Sequence, residues 1–157
     1  MYKYTLCFIR KGNQILMLNR FYPPNMGKWN GIGGKIRPDE SPHQGAVREI
    51  FEETGIRIER AELAGTVTWI TNKETSGMYV FIAGVPSSFQ YPTPVKTEEG
   101  ILDWKDMEWI LHPNNLGMAS HIQQFLPDML SGERCEHRYS FGADGEMVDY
   151  RKMPITV

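Results

Sequence analysis

The stretch from Ser41 to Gly55 carries its own start and stop signals, and the rest of the chain must pack around it. Ser41 is a good helix N-cap, Pro42 suits the first helical position, and Gln44 completes a capping box. Gly55 is a natural C-terminal cap, so the sequence predicts a helix over 42–54. At about 100° per residue, Ala46, Val47, Ile50, Phe51 and Thr54 share one arc, which is the expected buried face. Glu49, Glu52 and Glu53 fall on another arc at i, i+3 and i+4. Carboxylates that close repel one another unless a cation or an arginine sits among them. Arg48, four residues before Glu52, supplies one partner. An all-oxygen ligand set of this kind suits Mg²⁺ or Mn²⁺. The same glutamates also fit a plain solvated acidic face.

The residues around the helix extend the pattern. Gly34, Glu40, Arg48-Glu49, Ile50, Glu52-Glu53, Gly55 and Ile56 follow G-x5-E-x7-R-E-U-x-E-E-x-G-U, with U aliphatic. With average residue usage, a chance match in a chain of this length has odds of about 10⁻⁷. This is the Nudix box, and the chain resembles the Nudix hydrolases.

Length and composition set the frame for that resemblance. A chain of 157 residues is expected to form one domain over 1–157 with a substantial core. A net charge of −2 argues against a nucleic acid polymer or an anionic membrane as partner. It leaves room for a small anionic substrate, because bound cations invert the local field. Cys7 and Cys135 show no metal-type spacing and make no disulfide framework, so a cytoplasmic location is expected. No apolar run approaches the length of a membrane span, and the N-terminus reads at once as a strand.

Read in order, residues 2–9 and 14–19 form a predicted hairpin across Lys11-Gly12-Asn13. Residues 29–35 (WNGIGGK) read as a tight glycine-rich turn before the helix, or as a close backbone approach to a ligand. Further strands are expected at 57–70, interrupted near Gly65, and at 78–85, with another entered through TEEGILDW. A short helix is expected at 106–111, and a second at 118–130 that meets Pro127. Residues 134–141 and 146–152 suggest a closing hairpin. Strands outnumber scattered helices, which is an α+β pattern with a mixed sheet. The resemblance implies the Nudix fold, an α/β/α sandwich around a mixed β-sheet.

It also implies hydrolysis of a nucleoside diphosphate linked to another group, with Mg²⁺ (or Mn²⁺) at the box. Carried over by position, Glu49, Glu52 and Glu53 would be metal ligands, Glu52 also a candidate base, and the Gly34 carbonyl a further ligand. Arg48 would orient a glutamate, and Glu40 would brace loop and helix. Glu99 stands where oxidised-purine triphosphatases carry an additional acidic residue, with Glu98 the alternative.

Outside the box the chain is most similar to MutT-type triphosphatases that remove oxidised nucleotides. That similarity rests on Tyr4-Thr5-Leu6, Lys28-Trp29-Asn30-Gly31, Gly33-Gly34-Lys35, Phe125-Leu126-Pro127 and Asp149-Tyr150. It implies that Asn30 hydrogen-bonds a purine, which suits an amide, and that Thr5, Trp69 and Met78 line a base pocket. Arg20 and Lys35 would approach the phosphates. Each of these residues equally suits a turn, ordinary strand packing or exposed surface. The mammalian enzyme reads the purine with two aspartates, and the corresponding LGMASHIQQ here has none, leaving Asn114, Asn115 or His121 as stand-ins. The expected activity is release of a nucleoside monophosphate and pyrophosphate, by a monomer or homodimer. The alternatives are hydrolysis of ADP-ribose or a dinucleoside polyphosphate, or a non-catalytic domain that binds a nucleotide and regulates a partner.

Overall fold

Alternation along the first strand decides the architecture. In a computed structural model that describes residues 2–155, Leu6 and Phe8 enter one core, and Cys7 and Ile9 enter another. Period-two alternation with both faces apolar means that both faces of the sheet are covered. The elements are β1 (Tyr4–Lys11), β2 (Gln14–Arg20), β3 (Trp29–Asn30), β4 (Ile32–Lys35), α1 (Pro42–Thr54), β5 (Glu62–Ile70) and β6 (Thr75–Gly84). They continue as β7 (Val95–Lys96), β8 (Gly100–Asp106), α2 (Met107–Leu111), α3 (Ile122–Leu130), β9 (Glu136–Phe141) and β10 (Met147–Met153). The sheet order is β10-β9-β5-β6-β1-β2-β8-β7, with β3 on β2 and β4 on β1. β1 and β6 are parallel, as are β5 and β9, and the other pairs are antiparallel. α1 packs on Cys7, Ile9, Leu16 and Leu18; α3 packs on Leu6, Phe8, Ile15 and Met17 across the sheet. The result is the expected mixed-sheet α/β/α sandwich. Among the described residues no helix is long and apolar enough to cross a membrane.

α1 begins and ends where its caps put it. Ser41 Oγ accepts from the Gln44 N–H at 3.1 Å, and Gln44 Oε1 accepts from the Ser41 N–H at 2.8 Å. Gly55 takes φ 78° and donates its N–H to Phe51 O at 2.8 Å. The buried stripe is narrower than the sequence predicts. Gly45, Ala46 and Ile50 are buried, but Phe51 is 41% exposed, with the Arg57 guanidinium 4.4 Å over its ring. The sheet meets the helix along one line, and Gly45 on that line carries no side chain to signal burial.

Four other expectations need correction. WNGIGGK is not a tight turn: it forms β3 and β4, with Gly33 opposite Leu6 and Gly34 opposite Thr5 on β1. A Cβ on Gly33 would lie 2.0 Å from the Thr5 carbonyl oxygen, so the close approach is to β1. The strand after α1 starts at Glu62 rather than 57; its irregularity falls, as expected, between Leu63 and Gly65. β6 starts at Thr75, three residues before its expected start, because Ile70 and Thr75 already pair. α3 starts at Ile122 rather than 118: His121 adopts φ 68°, and the backbone ahead of it bonds Trp29, whose N–H reaches Gly117 O at 2.8 Å. Pro127 lies inside α3.

Candidate active site

Arg48 gathers the acidic residues of the loop and helix. Its Nη2 donates to Glu40 Oε1 at 2.8 Å and to the Lys35 carbonyl at 3.0 Å. Its Nη1 donates to Glu49 Oε1 at 2.9 Å and to Glu52 Oε2 at 3.2 Å. Glu40 therefore braces the loop against α1, and its hydrogen bond to the guanidinium holds its carboxyl down to about 2. Arg37 adds a contact to Glu52 Oε1 at 3.3 Å.

Glu53 has no such partner among the described residues. Its Oε2 is buried with nothing to bond, and burial, reinforced by Glu49 and Glu99, pushes its carboxyl up to about 8. Arg20 acts in the opposite sense. Strand pairing explains how Glu99 and Arg20 arrive here from distant sequence. β8 aligns Gly100 with Arg20 of β2, and Phe21 N–H donates to the Glu99 carbonyl at 2.9 Å.

No three acidic or thiol or imidazole side chains among the described residues converge closely enough to hold an ion as they stand, since Arg48 holds Glu49 and Glu52 to itself. The donors nevertheless fit a hard divalent cation. Glu49, Glu52 and Glu53 offer oxygen only, Glu53 Oε2 lacks a partner, and a Cβ on Gly34 would lie 2.5 Å from the Glu49 carboxyl carbon. Glycine at 34 thus leaves its backbone open beside the carboxylates.

That buried carboxyl gives the metal-free protein a distinct pH dependence. An unfolded glutamate titrates near 4.5 and the folded Glu53 near 8, so the folded chain binds the extra proton between those values. The associated stability is complete below the lower value and is lost as pH rises through the upper one. In EDTA, Tm should fall by several degrees between pH 5 and pH 9, and Glu53→Gln should flatten that fall. An identical slope in the variant would contradict the assignment.

A cleft of about 610 Å³ opens beside the acidic cluster, through Arg20, Gly33 and Gly34. Thr5, Asn30, Trp69 and Met78 all line it. Lys35 does not: its exposed side chain lies off the cleft wall, and its carbonyl serves Arg48. Of the three stand-ins for the missing aspartates, His121 lines the cleft. Asn115 is committed to Trp109 O at 2.8 Å and the Gly117 N–H at 2.9 Å, and Asn114 is off the wall. Burial keeps the His121 imidazole below its ordinary value, favouring the neutral ring. That ring stacks on Tyr139 at 4.2 Å.

Tyr139 is the residue that sequence reasoning missed. Parallel pairing of β5 with β9 sets it opposite Trp69, and it reaches the cleft from the C-terminal hairpin. No local pattern announces a parallel partner seventy residues away. Tyr150 packs behind it at 4.8 Å, with its hydroxyl 2.7 Å from His137 Nδ1. Among the described residues, the buried side-chain polar atoms without a partner are Thr5 Oγ1, Tyr139 Oη and Glu53 Oε2. Two line the cleft and the third lies beside it. A buried polar atom left unpaired is costly, so their concentration in one place marks where a ligand's polar groups belong.

The profile of the NUDIX domain family matches residues 3–129. The chain belongs to the NUDIX family. It is therefore a hydrolase acting on phosphoric anhydrides, in a family that generally uses a divalent metal and binds small nucleotide-type substrates. The chain is 29% identical over 153 residues to the Nudix hydrolase YvcI of Bacillus subtilis, covering 96% of this chain and 93% of the relative. It is 27% identical over 147 residues to the oxidized purine nucleoside triphosphate hydrolase of Danio rerio, covering 94% and 91%. The crystal structure of a mutator MutT protein from Bacillus halodurans superimposes with a TM-score of 0.78 at 25% identity, covering 99% of this NUDIX chain and all of that one.

Proposed function

We infer that the protein is a nucleoside triphosphate pyrophosphohydrolase, releasing a nucleoside monophosphate and pyrophosphate, with oxidised purines such as 8-oxo-dGTP preferred. The observation that carries this reading is the cleft. An aromatic ring, Trp69, and an amide, Asn30, share its wall with the unpartnered Thr5 and Tyr139 hydroxyls, directly beside the acidic helix. Asn30 Oδ1 accepts the Gly31 N–H at 2.8 Å, which fixes the amide and leaves its N–H groups to donate to a base. The likeness to the zebrafish oxidized purine nucleoside triphosphate hydrolase supports the same substrate class.

In this mechanism Glu49, Glu52, Glu53, Glu99 and the Gly34 carbonyl would hold Mg²⁺ or Mn²⁺. The ion, when bound, neutralises the polyphosphate and makes water a better nucleophile. Glu52, the more exposed of the box glutamates, takes the proton from the attacking water. Arg48, which ties Glu49 and Glu52 in the absence of metal, would orient a glutamate as the ion binds, and Arg20 would face the phosphates. The base stacks on Trp69 and is read by Asn30, Thr5 and the His121–Tyr139 pair. Cys7 and Cys135 are both free and buried, which suits a reducing cytoplasm.

A pyrophosphate-release screen tests the reading across canonical and oxidised nucleoside triphosphates, ADP-ribose and dinucleoside polyphosphates, with Mg²⁺ and with EDTA. Oxidised purine triphosphates should lead, and strong preference for ADP-ribose would overturn the substrate class. Asn30→Ala should cut kcat/KM for purine substrates by about tenfold to a hundredfold while sparing pyrimidines. An unchanged substrate ranking would remove Asn30 from base recognition.

A further inference from the structure

The strands that open onto the cleft at one end border a second cavity at the other. β1, β5 and β6 give Thr5, Trp69 and Met78 to the catalytic cleft, and Arg10, Leu63 and Ile82 to a cavity of about 460 Å³. α3 spans both, with Phe125 at the first and Met129 at the second. That volume is in the range of small-molecule sites.

Arg10, Arg60 and Arg134 line this second cavity against a single carboxylate, Glu62. Elsewhere Arg37, Arg48, Arg138 and Arg151 each hold a glutamate or aspartate, while Arg20 bonds backbone carbonyls and Arg57 lies over the Phe51 ring. Among the described residues, Arg10, Arg60 and Arg134 form no ion pair, even with Glu62 in the same cavity. Arg10 Nε makes only a backbone bond, to Gly12 O at 3.3 Å. In a chain with a net charge of −2, three arginines without an ion pair around one concavity, facing one carboxylate, make a local excess of positive charge. Guanidinium forks match the oxygens of phosphate. The half-buried Leu63 and Ile82 between them provide an apolar floor.

We propose that this cavity, remote from the catalytic cleft, is a second binding site for a phosphate carried on a compact, partly apolar body of nucleotide size, clamped by Arg10, Arg60 and Arg134. Glu62 at the same wall accepts from sugar hydroxyls or an amine. The site is independent of which anhydride the enzyme cleaves, so failure of the triphosphate reading leaves it standing, and the reverse also holds.

Titration of the full chain in EDTA with AMP, with inorganic phosphate and with adenosine tests it, followed by calorimetry and by methyl and arginine Nε NMR signals. AMP should bind and shift the Leu63 and Ile82 methyl signals, whereas adenosine should not bind there. Arg60→Gln/Arg134→Gln should weaken AMP binding at least tenfold, with Tm unchanged and Mg²⁺-supported kcat/KM within twofold of the parent. Asn30→Ala should leave this binding intact, which separates it from occupancy of the catalytic cleft. AMP binding more tightly than phosphate supports a phosphate carried on an organic body, and phosphate binding as tightly as AMP would overturn that occupant. AMP affinity unchanged by the double replacement, or no phosphate-dependent binding by either anion at millimolar concentration, would overturn it.

Discussion

Glu52→Gln should lower kcat by about 10²–10⁴-fold, the range a positioned general base contributes, with little change in the fold. Glu52 sits one helical turn after Arg48, and its side chain is 48% exposed, tied among the described residues to Arg48 and Arg37. Glutamine keeps its size and can still reach both guanidiniums, so stability should move by no more than about 1 kcal/mol. What glutamine removes is the negative charge and the capacity to accept a proton from water. Steady-state kinetics with saturating Mg²⁺, paired with thermal melts, separates the two effects. A kcat near the parent value would take Glu52 out of the mechanism.

The second large effect concerns two adjacent glycines with different neighbours. A Cβ at Gly33 would stand 2.0 Å from the Thr5 carbonyl oxygen and 2.9 Å from the Leu6 Cα, all backbone of the β1–β4 ladder. Nothing there can swing aside, so β4 must separate from β1. Gly33→Ala should cost about 3 kcal/mol or more and lower Tm by roughly 6–12 °C. At Gly34 the added Cβ would meet the Glu49 carboxylate, the far end of a side chain that can turn away. Gly34→Ala should therefore keep most of its stability while losing activity and divalent-ion affinity. Equal melting losses in the two variants would contradict this division between strand packing and site.

These two glycines also show what a sequence tells and what it withholds. α1 was legible because its determinants are local: Ser41, Gln44 and Gly55 act on backbone groups within one turn. The apolar runs of β1 and β2 likewise declared a hairpin, whereas the covering of both its faces emerges only in the fold. WNGIGGK did not, because glycine signals freedom without saying which neighbour requires it; here that neighbour is β1. Phe51 is more exposed than its periodicity implies, because periodicity reports an apolar arc whereas burial depends on how much of that arc the sheet covers. The acidic cluster could be found from spacing alone, but its unequal environment could not. Glu49 and Glu52 share Arg48, while Glu53 is buried against charges delivered by the β2–β8 pairing. His121 could be named as a candidate, but its left-handed backbone before α3 could not, and Tyr139 depends on the parallel β5–β9 contact, which leaves no local trace.

The central claim is that α1 and Gly34 form a seat for hard cations next to a nucleotide cleft. Crystals grown with Mn²⁺ test it most directly through the anomalous signal. The account predicts peaks bounded by Glu49, Glu52 and Glu53, with the two Arg48-held carboxylates turned from the guanidinium to the metal. Glu49 and Glu52 remaining on Arg48, Glu53 remaining unligated, and manganese absent from this helix at millimolar concentration would contradict it.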